Sequence, residues 1–165
     1  MKKIVKYSTI CFVMFALVLS MVSCSLSDAL NKPKDKDFSK AGMTITLTDE
    51  FTENDLVTHT AYYVSQKAIV VLLKENDRIL DSYSIKEYTE LVCQTYNVDS
   101  SGIKNKDGYV ELTYEKEQNG KDFYYYSRFY KNGKDFWSVQ FGCETKNIEE
   151  LQPFFEKWAD TVRFD

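Results

Sequence analysis

The pentapeptide Asn-Gly-Lys-Asp-Phe occurs twice in this chain, at residues 119–123 and again at 132–136. Asn-Gly suits a type I′ turn, whose two central residues both need positive φ, and such turns join neighbouring antiparallel strands. Aromatic and β-branched residues flank both copies, which completes the hairpin signal. The repeat therefore predicts a meander of three strands from Tyr109 to Cys143, with a period of one strand plus one turn. Two-residue loops also set register. With Asn-Gly as each loop, Glu111 faces Arg128 across the first hairpin and Arg128 faces Trp137 across the second, so the three form one row. One face then carries Val110, Leu112, Phe123, Tyr125, Phe129 and Phe136. The other carries Tyr109, Tyr124, Tyr126, Arg128, Tyr130 and Trp137. Both faces hold large apolar groups, so both need cover.

The cover is legible on either side of the meander. Ser84 and Glu87 form a capping box, in which a hydroxyl caps the first turn and a carboxylate three residues on reaches back to its amide. Ile85, Tyr88, Val92 and Tyr96 then recur at helical spacing, which predicts a helix from Ile85 to about Tyr96. Near the C-terminus, Ile148, Leu151, Phe155, Trp158 and Val162 form a second apolar stripe, with Asn147 as its N-cap. Pro153 costs a helix interior ~3 kcal/mol. Either the main helix begins near Gln152 or it kinks there. Strands are predicted at residues 43–47, 60–64 and 68–73 from their period-two or continuous apolar patterns. The fold class expected is α+β, an α/β/α sandwich with an antiparallel sheet of about six strands and helices on both faces.

The first residues are of a different kind. Lys2, Lys3 and Lys6 precede an apolar run from Ile10 to Val22, the layout of a secretory signal and short of the ~20 residues that span a bilayer. The run ends at Met21-Val22-Ser23-Cys24, which resembles the lipobox of bacterial lipoproteins. The resemblance implies cleavage before Cys24 and a lipid on its sulfur; the alternative is an uncleaved membrane anchor. Both place the domain outside the cytoplasm. The chain thus divides into a signal peptide at 1–23, a lipidated Cys and polar flexible tether at 24–40, and one globular domain at 41–165. Without its three leader lysines the chain keeps 18 basic residues against 25 acidic, a net charge of −7. That balance argues against nucleic acid, whose binding rests on neutralised phosphates. Membrane attachment would come through the lipid on Cys24, on the outer face of the cell membrane.

With the lipobox, the tether, residues 42–47 followed by Phe51, Glu87-Tyr88, residues 136–141 and a closing Phe155-Glu156-Lys157-Trp158-Ala159, the domain resembles small lipoproteins of Gram-positive bacteria with a PsbP-like fold. The resemblance rests largely on core aromatics. It implies the sandwich already described, carries no catalytic residues, and points by analogy to protein binding.

Catalysis finds little to use. His59 is the sole histidine, beside Thr58 and Thr60, with no nucleophile motif near it. One His and two dispersed Cys do not make a metal set, and no cofactor motif is present. Cys93 and Cys143 either bridge, as exported pairs can, or pack as buried thiols. The unusual feature is the aromatic load of the meander. Tyr109, Tyr124, Tyr126, Arg128, Tyr130 and Trp137 are the candidate binding residues, a stacking platform for a glycan or a tyrosine-rich contact for an envelope protein. The competing reading makes them core and half-buried sheet surface. Function is expected to be non-enzymatic, an accessory or binding role toward a protein or cell-wall partner. The alternative is an envelope hydrolase acting on wall material.

Overall fold

The computed structural model describes residues 33–55 and 58–165. The segment expected to be a signal peptide, Cys24 and the expected tether as far as Lys32 lie outside the described residues. Among those described, the strands are β1 (Asp35–Lys40), β2 (Met43–Thr48), β3 (Thr52–Asn54), β4 (Ala61–Val64), β5 (Ala68–Glu75), β6 (Ile103–Asn105), β7 (Val110–Gln118), β8 (Lys121–Asn132), β9 (Asp135–Glu144) and β10 (Arg163–Phe164). The helices are α1 (Ile85–Tyr96) and α2 (Ile148–Ala159). The fold is α+β, and its sheets are antiparallel. Seven strands lie in the order β3-β4-β5-β9-β8-β7-β6, and three more form a separate sheet in the order β1-β2-β10. One sheet of about six strands was expected. The difference lies in β1, β3, β6 and β10, whose composition carries no strand signal, and in β2, which pairs with β1 and β10 apart from the larger sheet.

The stretch read as tether contributes β1. Asp35 to Lys40 pairs along its whole length with β2, and Phe38 alone of its six side chains is buried. A single inward Phe in an otherwise polar run is invisible to pattern reading. Among the described residues, regular structure is therefore already present from Asp35, ahead of Ala41.

Helix α1 forms where its capping box predicts. The Ser84 hydroxyl accepts from the Glu87 amide at 3.2 Å, and the Glu87 carboxylate accepts from the Ser84 amide at 2.8 Å. The helix ends at Asn97, which takes a left-handed φ of 53°, tolerable for Asn because its short polar side chain can bond locally. Helix α2 runs unbroken through Pro153. Asn147 makes no side-chain cap; a 3-10 turn at Thr145–Asn147 leads in instead. The stripe of Leu151, Phe155 and Trp158 is buried. Each such side chain is worth on the order of 2–3 kcal/mol of burial, enough to offset the proline.

Two clusters share the strands. Tyr88 and Cys93 of α1 pack with Val110, Leu112, Phe129 and Phe136. Leu151, Phe155 and Trp158 of α2 pack with Tyr126, Val139 and Phe141, under the cover of Met43, Ile45 and Leu47 from β2. The β8 and β9 members of the two sets occupy alternate positions along their strands, the period of a pleat. Cys93 belongs to the first set and Cys143 to the second, and both are free thiols.

Candidate functional site

The two pentapeptides make different corners. Asn119 and Gly120 both take positive φ, 53° and 75°, and Gln118 faces Lys121. That is the expected type I′ loop. At the second copy the loop is Gly133-Lys134: Gly133 has φ 62°, while Asn132 stays in β8 opposite Asp135. A glycine at the first central position suits a type II′ turn. A loop at Asn132-Gly133 would have placed Lys131 opposite Lys134, and like charges directly opposed are unfavourable. The observed corner instead sets Lys131 across from Phe136, its ammonium 4.8 Å from the ring centre.

The shift moves β9 by two residues. Faces survive, because two is the side-chain period of a strand, but rows do not. Arg128 still faces Glu111. Across the second hairpin it faces Val139, and Trp137 faces Tyr130. The expected row of Glu111, Arg128 and Trp137 is therefore broken. Trp137 receives its cation from Lys74, at 5.2 Å, and the Arg128 guanidinium lies 4.4 Å from the Tyr109 ring centre.

Burial corrects the expected platform further. Trp137 is 1 % and Arg128 5 % exposed, and Tyr126 and Tyr130 are buried with them. Only Tyr109 and Tyr124 keep partial exposure. The cause is α2. The Tyr130 hydroxyl donates to the Ala159 carbonyl at 3.3 Å, and Arg128 reaches Asp160, just past the helix end, at 2.7 Å. Arg128 also donates from Nε to the Tyr126 hydroxyl at 2.7 Å, which in turn donates to Glu111 at 2.9 Å. Burial opposes the Arg128 charge, but the bonds to Asp160 and Tyr126 outweigh it and hold the guanidinium firmly protonated. Burial pushes the Tyr130 phenol up to about 12. These groups lock the C-terminal end of α2 onto the sheet. Asp160 is the member that sequence reasoning missed. It directly follows Ala159, the last residue of α2, where a cation from the sheet can bond it beyond the last helical turn.

What remains accessible is narrow. Tyr109 rests with its ring on the guanidinium, and Glu111 and the 67 % exposed Asp160 side chain accompany it. Tyr124 stands in the same strand face two residues from Tyr126. Its phenol is raised first by burial, then by the nearby charges of Glu111 and Glu156. The patch is aromatic, and its two acids are paired, Glu111 with Lys104 at 3.6 Å and Asp160 with Arg128.

A second set of polar groups lies beneath α1. Glu75 accepts a short hydrogen bond from the Tyr88 hydroxyl. Burial raises its carboxyl, and the Tyr88 bond opposes this. Gln140 donates to the Tyr114 hydroxyl at 2.7 Å and to Ser127 at 3.3 Å. Two cavities of about 10 Å³ adjoin these groups, lined between them by Glu75, Tyr96, Ser138 and Gln140. Each has room for about one water, which is too little for a substrate. His59 is half-buried before β4, with Thr58 2.9 Å from its Nδ1, and burial lowers its pKa. It lines neither cavity. Among the described residues no group of three His, Cys, Asp or Glu is arranged to hold a metal ion, and no helix is long and apolar enough to cross a membrane.

No family model and no curated protein matches the chain. Solved structures do. The solution structure of cyanobacterial PsbP (CyanoP) from Synechocystis sp. PCC 6803 superposes with a TM-score of 0.54 at 9 % identity, covering 87 % of this chain and 98 % of that one. The fold is PsbP-like. A crystal structure from Bacteroides thetaiotaomicron VPI-5482 matches at 0.58 and 10 % identity over 79 % of this chain, which spans only 48 % of that protein. LpqN, described as involved in cell envelope biogenesis of Mycobacterium tuberculosis, matches at 0.52 and 9 % identity, covering 80 % of this chain and 91 % of its own. Identities this low speak for the fold alone.

Proposed function

We propose that this protein is a lipoprotein of a Gram-positive envelope, anchored to the outer face of the membrane through Cys24, whose domain is a non-enzymatic accessory module for a protein or cell-wall partner. Its layering is read as an α/β/α sandwich, with the α1 and α2 clusters on opposite sides of the seven-stranded sheet. The observation that carries the binding role is Tyr109, partly exposed and pinned on the buried Arg128 guanidinium. An aromatic ring held in place before association loses little freedom on contact, and such rings serve as anchors at interfaces. Tyr124, Glu111 and Asp160 extend the patch toward partners that present basic or hydroxyl groups. The buried Tyr126, Arg128 and Tyr130 around it support the same reading, because their hydrogen bonds are spent within the fold. An envelope-associated protein among the structural neighbours agrees with this placement.

The test is photo-crosslinking of the full-length protein in its own envelope, from a probe at Thr113 beside the patch. Capture of a partner or of wall material should fall strongly when Tyr109→Ala and Tyr124→Ala are combined. Equal capture from a probe at Ile79, a 68 % exposed residue elsewhere on the surface, would remove the patch from consideration. Cys24→Ala should release the protein from the membrane fraction; retention there would refute the lipid anchor.

A further inference from the structure

The seven-stranded sheet ends in β6, and β6 is too short to cover its neighbour. It begins only at Ile103, opposite Leu112. The 3-10 turn at Ser100–Gly102 carries the cover one residue further, since a Cβ on Gly102 would come 2.3 Å from the Thr113 carbonyl oxygen. Past Thr113, β7 runs on to Gln118 with no strand outside it among the described residues.

The direction of the backbone groups on this stretch follows from the corner before it. The Lys106 amide donates to the Tyr109 carbonyl at 3.0 Å, so Tyr109 turns its backbone toward β6. In an antiparallel ladder alternate residues turn the same way. Glu111, Thr113, Glu115 and Glu117 therefore point their amides and carbonyls away from β8. The Asn119-Gly120 loop agrees, because it closes on the pair of Gln118 and Lys121. Glu111 meets Lys104 of β6 on the outward side. No backbone hydrogen bond reaches Glu115 or Glu117 there among the described residues. An open edge of this kind is a template for a further strand.

The side chains say which strand fits. Glu115 and Glu117 are exposed, and neither carboxylate is ion-paired among the described residues. Glu117 directly faces the exposed Asp122 across the hairpin. That pair is a non-hydrogen-bonded one, where side chains come closest, and like charges so opposed are destabilising. The hairpin carries a repulsion that a cation would relieve. A second copy would not relieve it, because antiparallel pairing of two such edges sets Glu against Glu.

We propose that the open stretch of β7 takes an extended peptide segment as an added antiparallel strand, with Lys or Arg opposite Glu115 and Glu117. Main-chain hydrogen bonds supply the attachment, and the alternate basic side chains supply the selectivity. The edge adjoins the Tyr109 patch but does not rest on that reading.

The test adds a capped peptide of alternating Lys and Thr, at millimolar concentration, to the isotope-labelled full-length protein. The amide NMR signals of Glu115 and Glu117 should shift, and their hydrogen exchange should slow severalfold. A peptide with Glu in place of Lys should bind roughly tenfold more weakly, and Glu115→Lys combined with Glu117→Lys should reverse that order. Pairing with the edge turns the amides of the peptide's Lys residues toward β7 and those of its Thr residues away. N-methylation of the Lys amides should therefore abolish the response, and N-methylation of the Thr amides should spare it. Tyr109→Ala should keep it. Full binding of the peptide methylated at its Lys amides reduces the contact to side-chain charge and overturns the proposal. Absence of any shift, or an equal response to the Glu peptide, overturns it too. Loss of the response in Tyr109→Ala would move the contact to the Tyr109 patch, with the same consequence for the edge.

Discussion

The two copies of Asn-Gly-Lys-Asp-Phe share every residue and almost no circumstances. In the first, Asn119 takes a left-handed turn position, Lys121 bonds Glu144 at 2.8 Å, and Asp122 is exposed. In the second, Asn132 is a strand residue, Lys134 is in the turn, and Asp135 bonds Lys74 at 2.8 Å and Asn76 at 2.5 Å. Phe123 is a buried ring near the far end of its strands, whereas Phe136 is stacked on Tyr88 at 4.5 Å beneath α1. A short motif thus specifies that the chain reverses. The residues just outside it decide which bond of the motif sits at the apex.

The widest gap between the copies should appear at their last residue. Phe136→Ala is expected to cost about 4 kcal/mol and Phe123→Ala roughly half that, because only the first opens a cavity between helix and sheet. Urea denaturation of both variants measures the difference, and equal losses would show that the α1 contact adds nothing. At the first residue, Asn119→Ala should cost about 1 kcal/mol for placing Ala at positive φ. Asn132→Ala should stay within about 0.5 kcal/mol. If the order is reversed, the assignment of the two loops is wrong.

The lysines separate the copies through pH. The Glu144 carboxyl is held below its ordinary 4.5, first by the Lys121 hydrogen bond and then by Lys146. A depressed carboxylate stabilises the fold above its unfolded value, and that contribution is lost as pH falls through the folded one. Lys121→Ala should therefore cost up to about 1 kcal/mol at neutral pH, and the difference from wild type should shrink below pH 4.5. Lys134→Ala should show no such dependence. Last and smallest, Lys134→Glu removes the like-charge penalty that the alternative Asn132-Gly133 loop would carry, and should change stability by less than about 0.5 kcal/mol. The Tyr130–Trp137 pairing should persist in its NMR contacts, because stacking of Phe136 also holds the register.

Much of this was open to reading before any coordinates. The first hairpin register, the extent of α1 and the division of the meander into two faces all follow from period and turn chemistry. The opposition of Lys131 to Lys134 was equally visible and would have signalled the second corner. The strand β1 was not visible, because one inward Phe38 among charged neighbours has no pattern. Nor was the fate of the aromatic platform. Tyr126, Arg128, Tyr130 and Trp137 read equally well as exposed surface or as interior until α2 is laid on them.

The amino-acid sequence by itself determined what is local: where the chain turns, which residues share a side of a strand, where α1 starts and stops. These depend on backbone sterics and on groups a few residues apart. Only the tertiary structure decided which of those sides meets water. That outcome turns on contacts such as Arg128 with Asp160 and Tyr130 with Ala159, between segments far apart in the chain, whose energy appears only once both are packed.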